Sequence, residues 1–431
     1  VIDYCKISYL GQHVASLGYD DEKLYGFLEY TPEFVGQGVE LAPITMPVKA
    51  GEIYSFRHIN PKTFFGLPGM VADSLPDRFG NSILNQWMIR MGRTKAITPL
   101  ERLQYTGTRG MGALEYRPQI ESSVLTEKHQ IEIDELRQLA QDVVHSRSDV
   151  NVSVGSNPDA LKPLIAVGTS AGGARPKAVL GFNSDFSQAV SGQVDLPKGF
   201  EHYLMKFDGV TETNQNEETF GDPQGYGVCE YVYYLMAQQC GIDMMPCHLL
   251  EEGSRRHFLT KRFDRVGNQK IHVQTLTAIA HVDYQTPGSF SYEELFQVAR
   301  QLKLPKADAL QIYKRMCFNI MAMNNDDHSK NFAFMLKDGR WRLSPAYDVA
   351  YCYAPNNPWV NQHWMSAAGK RKGHTKADLL QVAKNSFKTV DQKVFTQIID
   401  EVAEAISEFK NLATTHNMPK SLAEEVQKHL W

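Results

Sequence analysis

The chain is expected to fold as a mixed α/β (α+β) protein of two lobes. A β-rich N-terminal lobe carries an added N-terminal subdomain, and the C-terminal lobe is helical. Three observations lead there. Short apolar runs broken by Gly, Pro and Asp occupy residues 1 to about 60. Strand-like pieces then surround one apolar helix between 164 and 263. From Ser291 onward the apolar spacing becomes helical.

At 431 residues the chain is long enough for two or three domains, each with a sizeable core. Apolar residues make up 42% and charged residues 22%, an ordinary globular balance. The formal charge of −4 gives no reason to expect nucleic acid as the main partner of the whole surface. Six cysteines form no C-x-x-C pair and no metal-ligand spacing, so they read as reduced packing residues of a cytosolic protein. Residues 1–21 mix charges into their apolar positions, unlike a signal peptide. No apolar stretch approaches the roughly 20 residues of a membrane helix. The expectation is a cytoplasmic protein without membrane contact.

Residues 23–30 and 53–56 are strand-like. Residues 82–91 suggest a helix ending near Gly92, and 131–144 a charged helix. The Ser- and Asn-rich segment 145–158 is the best interior linker candidate. Strand-like pieces follow at 164–167, 178–182 and 202–207, then a helix at 229–240 stopped by Gly241. A strand pair at 245–250 and 256–263 closes this region. Ser291 and Glu294 have capping-box spacing. Helical patterns run on to Trp431, broken near Pro355–Pro358 and Gly369–Gly373. These shifts suggest domains at 1–150, 151–265 and 266–431.

One stretch carries chemistry. An apolar run ends in Asn325, Asp326, Asp327, His328, Ser329, Lys330 and Asn331, a second apolar run covers 332–336, and Asp348 follows Tyr347. Asp326 to Asn331 has the D-x-x-x-x-N spacing of a kinase catalytic loop, where the aspartate orients the attacking hydroxyl and the asparagine holds Mg²⁺. Asp348 stands where a kinase carries its second metal-binding aspartate. Either Asp326 or Asp327 could be the base. Two carboxylates and an amide between buried runs are costly without a counter-charge. The two-lobed order, strands before a helical half with an acidic loop, is then protein-kinase-like.

Other segments are weaker alone. Residues 168–177 are Gly-rich, including Ser170, Ala171, Gly172, Gly173 and Lys177, and could cradle phosphate oxygens or form a hairpin turn. They match neither a Walker A loop nor G-x-G-x-x-G. Lys206 ends a strand-like run, as the nucleotide lysine of kinases does, or faces solvent. Glu230 could pair with it or sit on a helix dipole. Lys261, Arg262 and Phe263 could form a hinge for adenine or merely end a strand. His328 more often packs within such a loop than binds a ligand. The basic trio 370–372 is most simply a solvated loop, with phosphate contact the minority reading.

Together these segments resemble the HipA family of bacterial toxin kinases. Asp326-Asp327-His328-Ser329-Lys330-Asn331 is similar to its D-x-H-x-K-N signature, and Arg262-Phe263-Asp264-Arg265 to its R-F-D-R segment. Gly168–Lys177 is similar to its phosphate loop, Tyr347-Asp348 to its metal motif, and residues 64–77 to its N-terminal subdomain. The resemblance implies a Ser/Thr-protein kinase using ATP and Mg²⁺, with Asp326 catalytic and Asn331 and Asp348 holding the metal. It implies ATP contacts from residues 170–173, Lys177, Lys206, Lys261, Arg262, Phe263 and His328, and autophosphorylation at Ser170, which would eject that loop from its anion site. It also implies a small DNA-binding antitoxin of the HipB type, with DNA met only through or alongside it. A protein substrate is implied too, an aminoacyl-tRNA synthetase in the best-known case, and a role in growth arrest and persistence.

Two other readings stay open. A small-molecule kinase of the aminoglycoside-phosphotransferase type shares the Asp…Asn…Asp constellation. A non-catalytic co-repressor, acting on DNA with its antitoxin, would use the loop at 370–372.

Overall fold

The computed structural model describes residues 2–90, 92–119, 132–145, 175–210 and 224–431. The first sheet joins β1 (Ile2–Tyr9), β2 (Gln12–Asp20), β3 (Tyr25–Tyr30), β4 (Ile53–Tyr54) and β5 (Leu114–Arg117) in the order β4-β3-β2-β1-β5. All pairings are antiparallel. The period-2 burial of β3, with Leu28 and Tyr30 inside and Glu29 outside, is what a sheet with one wet face requires. β5 returns to pair with β1 after a long excursion, so no local pattern announces it.

The second sheet holds β6 (Lys177–Asn183), β7 (Ala189–Ser191), β8 (Phe200–Lys206), β9 (Cys247–Glu252) and β10 (Arg255–Lys261), ordered β7-β6-β8-β10-β9. β6 is buried from Lys177 to Phe182 on both faces. One face receives the helices Arg78–Arg90 and Ile133–His145, whose Phe79, Ile83, Leu84 and Leu136 share a core with Leu180, Met205 and Leu259. Two helices that precede residue 150 therefore pack with the second sheet. The helix Tyr226–Gln239 lies against β9 and β10 through Tyr234, Cys247 and Phe258.

The C-terminal half departs from the expected run of helices. After the short hairpin β11 (Arg265–Val266) and β12 (Gln269–Lys270), a three-stranded antiparallel sheet forms from β13 (His272–Thr275), β14 (Ala333–Lys337) and β15 (Arg340–Leu343). Its strands are short, and β13 and β14 lie almost sixty residues apart. Their alternation is too brief to outweigh the helical spacing around them. Elsewhere the helical reading holds. Ser291 accepts from the Glu294 N–H while Glu294 reaches back to the Ser291 N–H, the reciprocal cap expected there.

A single apolar core runs from the first sheet into the helical lobe. The first module grips the small C-terminal sheet directly. The Leu41 carbonyl accepts from His272 Nε2 at 3.0 Å and from Gln274, and the Glu40 carbonyl accepts from Trp341 Nε1 at 3.2 Å. Among the described residues no helix is long and apolar enough to cross a membrane.

Candidate active site

The acidic loop sits between the buried helix Lys306–Met321 and β14, and it closes with a tight turn at Ser329–Asn331. Its two aspartates occupy opposite environments. Asp327 is fully buried, and its carboxylate accepts from the Tyr292 hydroxyl at 2.7 Å and the Trp364 N–H at 2.7 Å, with His363 Nδ1 at 3.2 Å. It is an anchor with its acceptors taken. Asp326 keeps 46% of its side chain exposed, with His328 Nε2 at 3.6 Å. Protein closes around the remaining sides, and this desolvation raises its pKa; His328 and Arg175 oppose the rise, while Asp348 and Asp327 add to it. The His328 ring packs edge-on to Trp364 and tilted on Tyr284. Asn331 Nδ2 donates to the Asp326 backbone carbonyl at 2.7 Å, which leaves the amide oxygen for a ligand.

Opposite this loop, Lys206 at the end of β8 binds two carboxylates. Its ammonium lies 2.5 Å from Glu230 Oε1 and contacts Asp348 Oδ1. Lys206 and Glu230 are buried. Burial drives the Asp348 pKa up, but Lys206, Lys177 and Arg175 outweigh it and hold the carboxyl well below the usual range. Burial raises Glu230, Asp348 raises it further, and Lys206 only partly offsets both. Desolvation likewise lowers the Lys206 ammonium, yet Asp348 and Glu230 bring it above its ordinary value. Asp348 has φ +53°, a left-handed conformation in which aspartate is tolerated better than most residues. A kinked backbone therefore delivers this carboxylate, as at many functional sites.

Between the two groups lies a cleft of about 1190 Å³, its open mouth included. Leu204, Met245, Phe258 and Val273 form its apolar wall, and Phe263, stacked on Tyr347 at 5.6 Å, also lines it. Lys261 and Arg262 line it as well. The Lys261 ammonium pairs with Glu201, and both arms of the Arg262 guanidinium are held by the buried Asp264, at 2.8 and 2.7 Å. Arg265 and the Gly112 N–H complete the Asp264 cluster, so the R-F-D-R segment is a buried weld to the first module. Lys177, expected at the phosphates, is buried and pairs with Asp77 at 3.4 Å. In the basic trio, Lys370 pairs with Asp378 and Arg371 Nε donates to the His363 carbonyl. Ser170, Ala171, Gly172 and Gly173 lie outside the described residues.

The sequence reading had given no role to Asp73, Leu75, Asp77 and Met111, all from the N-terminal part of the chain, which also line the cleft. Lys330 lines it too. The signal for Asp73 and Asp77 was faint: two acids four residues apart in an otherwise small and apolar string. Among the described residues no group of three or more His, Cys, Asp or Glu is gathered as a metal cage. Asn331 and Asp348 fit a different kind of site. Magnesium commonly takes only one or two protein ligands and completes its shell with water and phosphate oxygens.

The lobes, the cleft between them and the Lys206–Glu230–Asp348 bridge define a kinase-like fold. The chain belongs to the HipA family. The HipA N-terminal domain matches residues 5–117 and the HipA-like C-terminal domain matches residues 169–409. The solved HipA of Shewanella oneidensis, in complex with HipB and operator DNA, is 14% identical with a TM-score of 0.66. That alignment covers 99% of this chain and 94% of the other. The curated "Putative kinase Y4mE" of Sinorhizobium fredii is 23% identical over 188 residues, 40% of this chain and 44% of that protein. The proinflammatory kinase CtkA of Helicobacter pylori is 13% identical over 53% of this chain and 92% of its own, with a TM-score of 0.31, too low to argue from.

Proposed function

We propose that this chain is a serine/threonine protein kinase that uses ATP with Mg²⁺ and serves as the toxin of a toxin–antitoxin pair. The observation that carries the kinase reading is the Lys206 ammonium held between Glu230 and Asp348, facing a loop that offers the Asp326 carboxylate and the Asn331 amide oxygen. Lys206, fixed by two acids, is placed to bind phosphate oxygens. Asp348 and Asn331 would hold Mg²⁺, which when bound neutralises charge on the transferring phosphate. Asp326, half-exposed and without a strong donor of its own, can accept a hydrogen bond from an incoming hydroxyl and take its proton. The apolar wall around Phe258 and Met245 suits a purine, with the backbone at 261–263 as its hinge. Ser170 is the proposed site of self-phosphorylation. The partner reading rests on the Shewanella complex, which contains HipB and operator DNA. A HipB-like antitoxin is proposed here, with DNA reached through or beside it.

The test is transfer of labelled γ-phosphate by the full chain with Mg²⁺, comparing it with Asp326→Asn. The wild type should label itself on Ser170, and the variant should lose about 10²- to 10⁴-fold in rate while still binding ADP. Equal labelling of both proteins removes Asp326 from the mechanism.

A further inference from the structure

The catalytic loop does not stand on the helical lobe alone. β14, which follows it, pairs with β13 so that Thr275 lies opposite Ala333. The Leu276 N–H donates to the Phe332 carbonyl at 2.7 Å, and the Thr277 and Ser329 hydroxyls share a buried hydrogen bond of 2.7 Å. The short helix Leu276–Ala280 therefore braces the loop at Ser329 and just beyond Asn331.

That brace is in turn held by the first module. Asp73, at the end of the short helix Gly69–Ala72, accepts from the Thr275 N–H at 2.8 Å and the Thr275 hydroxyl at 2.9 Å. The Thr275 hydroxyl also caps the Leu276–Ala280 helix by accepting from Ala278 N–H. The Gly69 N–H donates to His281 Nε2 at 3.0 Å, and Asn60 Nδ2 to Asp283 at 2.8 Å. A Cβ at Gly69 would collide with the Ala278 carbonyl and the His281 ring, so glycine permits this approach.

We propose that Asp73 and Thr277 are positioning residues for phosphoryl transfer: the first module, through Asp73, Thr275 and the Thr277–Ser329 hydroxyl pair, fixes the geometry of the catalytic loop. In this arrangement the module is a limb of the active site. Thr277 is buried against Ser329 outside the cleft, and Asp73, which lines the cleft, is held on Thr275. Their effect travels through a packed helix and one buried hydrogen bond, and a displacement of about 1 Å at the loop is enough to cost up to about 10²-fold in rate. The inference rests on the kinase reading for its rate effect, and its structural half stands independently of it.

The experiment compares Thr277→Val, Thr277→Ser and Asp73→Ala in the full chain by two readouts. In steady-state transfer from ATP, Thr277→Val should lower kcat about 10-fold or more with KM for ATP little changed, Thr277→Ser should keep the wild-type kcat, and Asp73→Ala should lower kcat in the same direction as Thr277→Val. Asp73→Ala combined with Thr277→Val should fall short of the product of the single losses, because both act on one chain of contacts. In hydrogen exchange, amides over 325–331 should exchange faster in Thr277→Val and Asp73→Ala than in wild type or Thr277→Ser. Wild-type kcat and wild-type protection in Thr277→Val overturn the proposal. If the wild type transfers no phosphate, the kinase reading fails, and the exchange pattern by itself still decides the positioning claim. Should Asp73→Ala not fold, the Thr277 pair decides alone.

Discussion

Replacing Lys206 by methionine tests the electrostatics of the site most directly. The side chain is of similar length and apolar, so the cavity stays filled and the charge is lost. What remains is two facing carboxylates: Glu230, with 4% of its side chain exposed, and Asp348, with 28%. Removing one partner of a buried ion pair costs about 3–5 kcal/mol, because the surviving charge is left uncompensated. Here two charges survive, but they can escape by taking up protons, so the loss must depend on pH. In the wild type the Asp348 pKa is depressed, which favours the folded state above the unfolded carboxylate pKa of about 4 and loses that benefit only as pH falls through the folded value. In Lys206→Met the strongest attraction is gone: Glu230, already raised by burial and by Asp348, rises further, and Asp348, still facing Lys177 and Arg175, rises from its depressed value. The folded variant therefore binds more protons than the folded wild type, and the stability gap between them widens as pH rises. Urea unfolding at pH 5 and pH 8 is the assay. The gap between wild type and variant should be about 3–5 kcal/mol at pH 8 and clearly smaller at pH 5. A gap that is the same at both pH values, or below about 1 kcal/mol at pH 8, refutes the argument that Lys206 neutralises a buried acidic pair.

Three further outcomes follow from the pair of loop aspartates. Asp327→Asn replaces a saturated carboxylate with an amide whose oxygen can still accept from the Trp364 N–H but whose Nδ2 then faces the Tyr292 hydroxyl, which already accepts from Asn319, so urea unfolding should show a loss of about 1–3 kcal/mol. Asp326→Asn, which breaks no strong hydrogen bond, should be close to neutral in the same measurement. Because burial raises the Asp326 pKa, and a base works only when deprotonated, the acid limb of the kcat/KM profile should fall above the ordinary carboxylate pKa of about 4. An acid limb at or below that value would contradict a desolvated base at this position.

How much of this was legible in the chain depended on distance along it. The five-residue spacing from Asp326 to Asn331 lies within one turn-forming loop, and its apolar flanks are local too, so a linear reading could find it. The Lys206–Glu230 contact was within reach for a similar reason, since a strand end and the next helix start are only 24 positions apart. Asp326 and Asp327 could not be told apart from composition. They are neighbours of the same type, and only the arrival of Tyr292, His363 and Trp364 from distant segments makes one an anchor and leaves the other open. Arg262, a candidate for the adenine hinge, likewise could not be assigned a partner from its spacing; folding sets its guanidinium and that of Arg265 on the buried Asp264 carboxylate.

By itself, the sequence determined the change from a strand-rich first half to a mainly helical second half and the acidic loop, because those depend on periodicity and short spacings. The tertiary structure alone decided which side chains share one cleft. It carried β13 and β14 together across almost sixty residues, set Asp348 against Lys206 across 142, and brought Asp73 against Thr275 across 202. Such contacts form when distant apolar surfaces pack together, and a side chain's spacing to its neighbours along the chain carries no record of them.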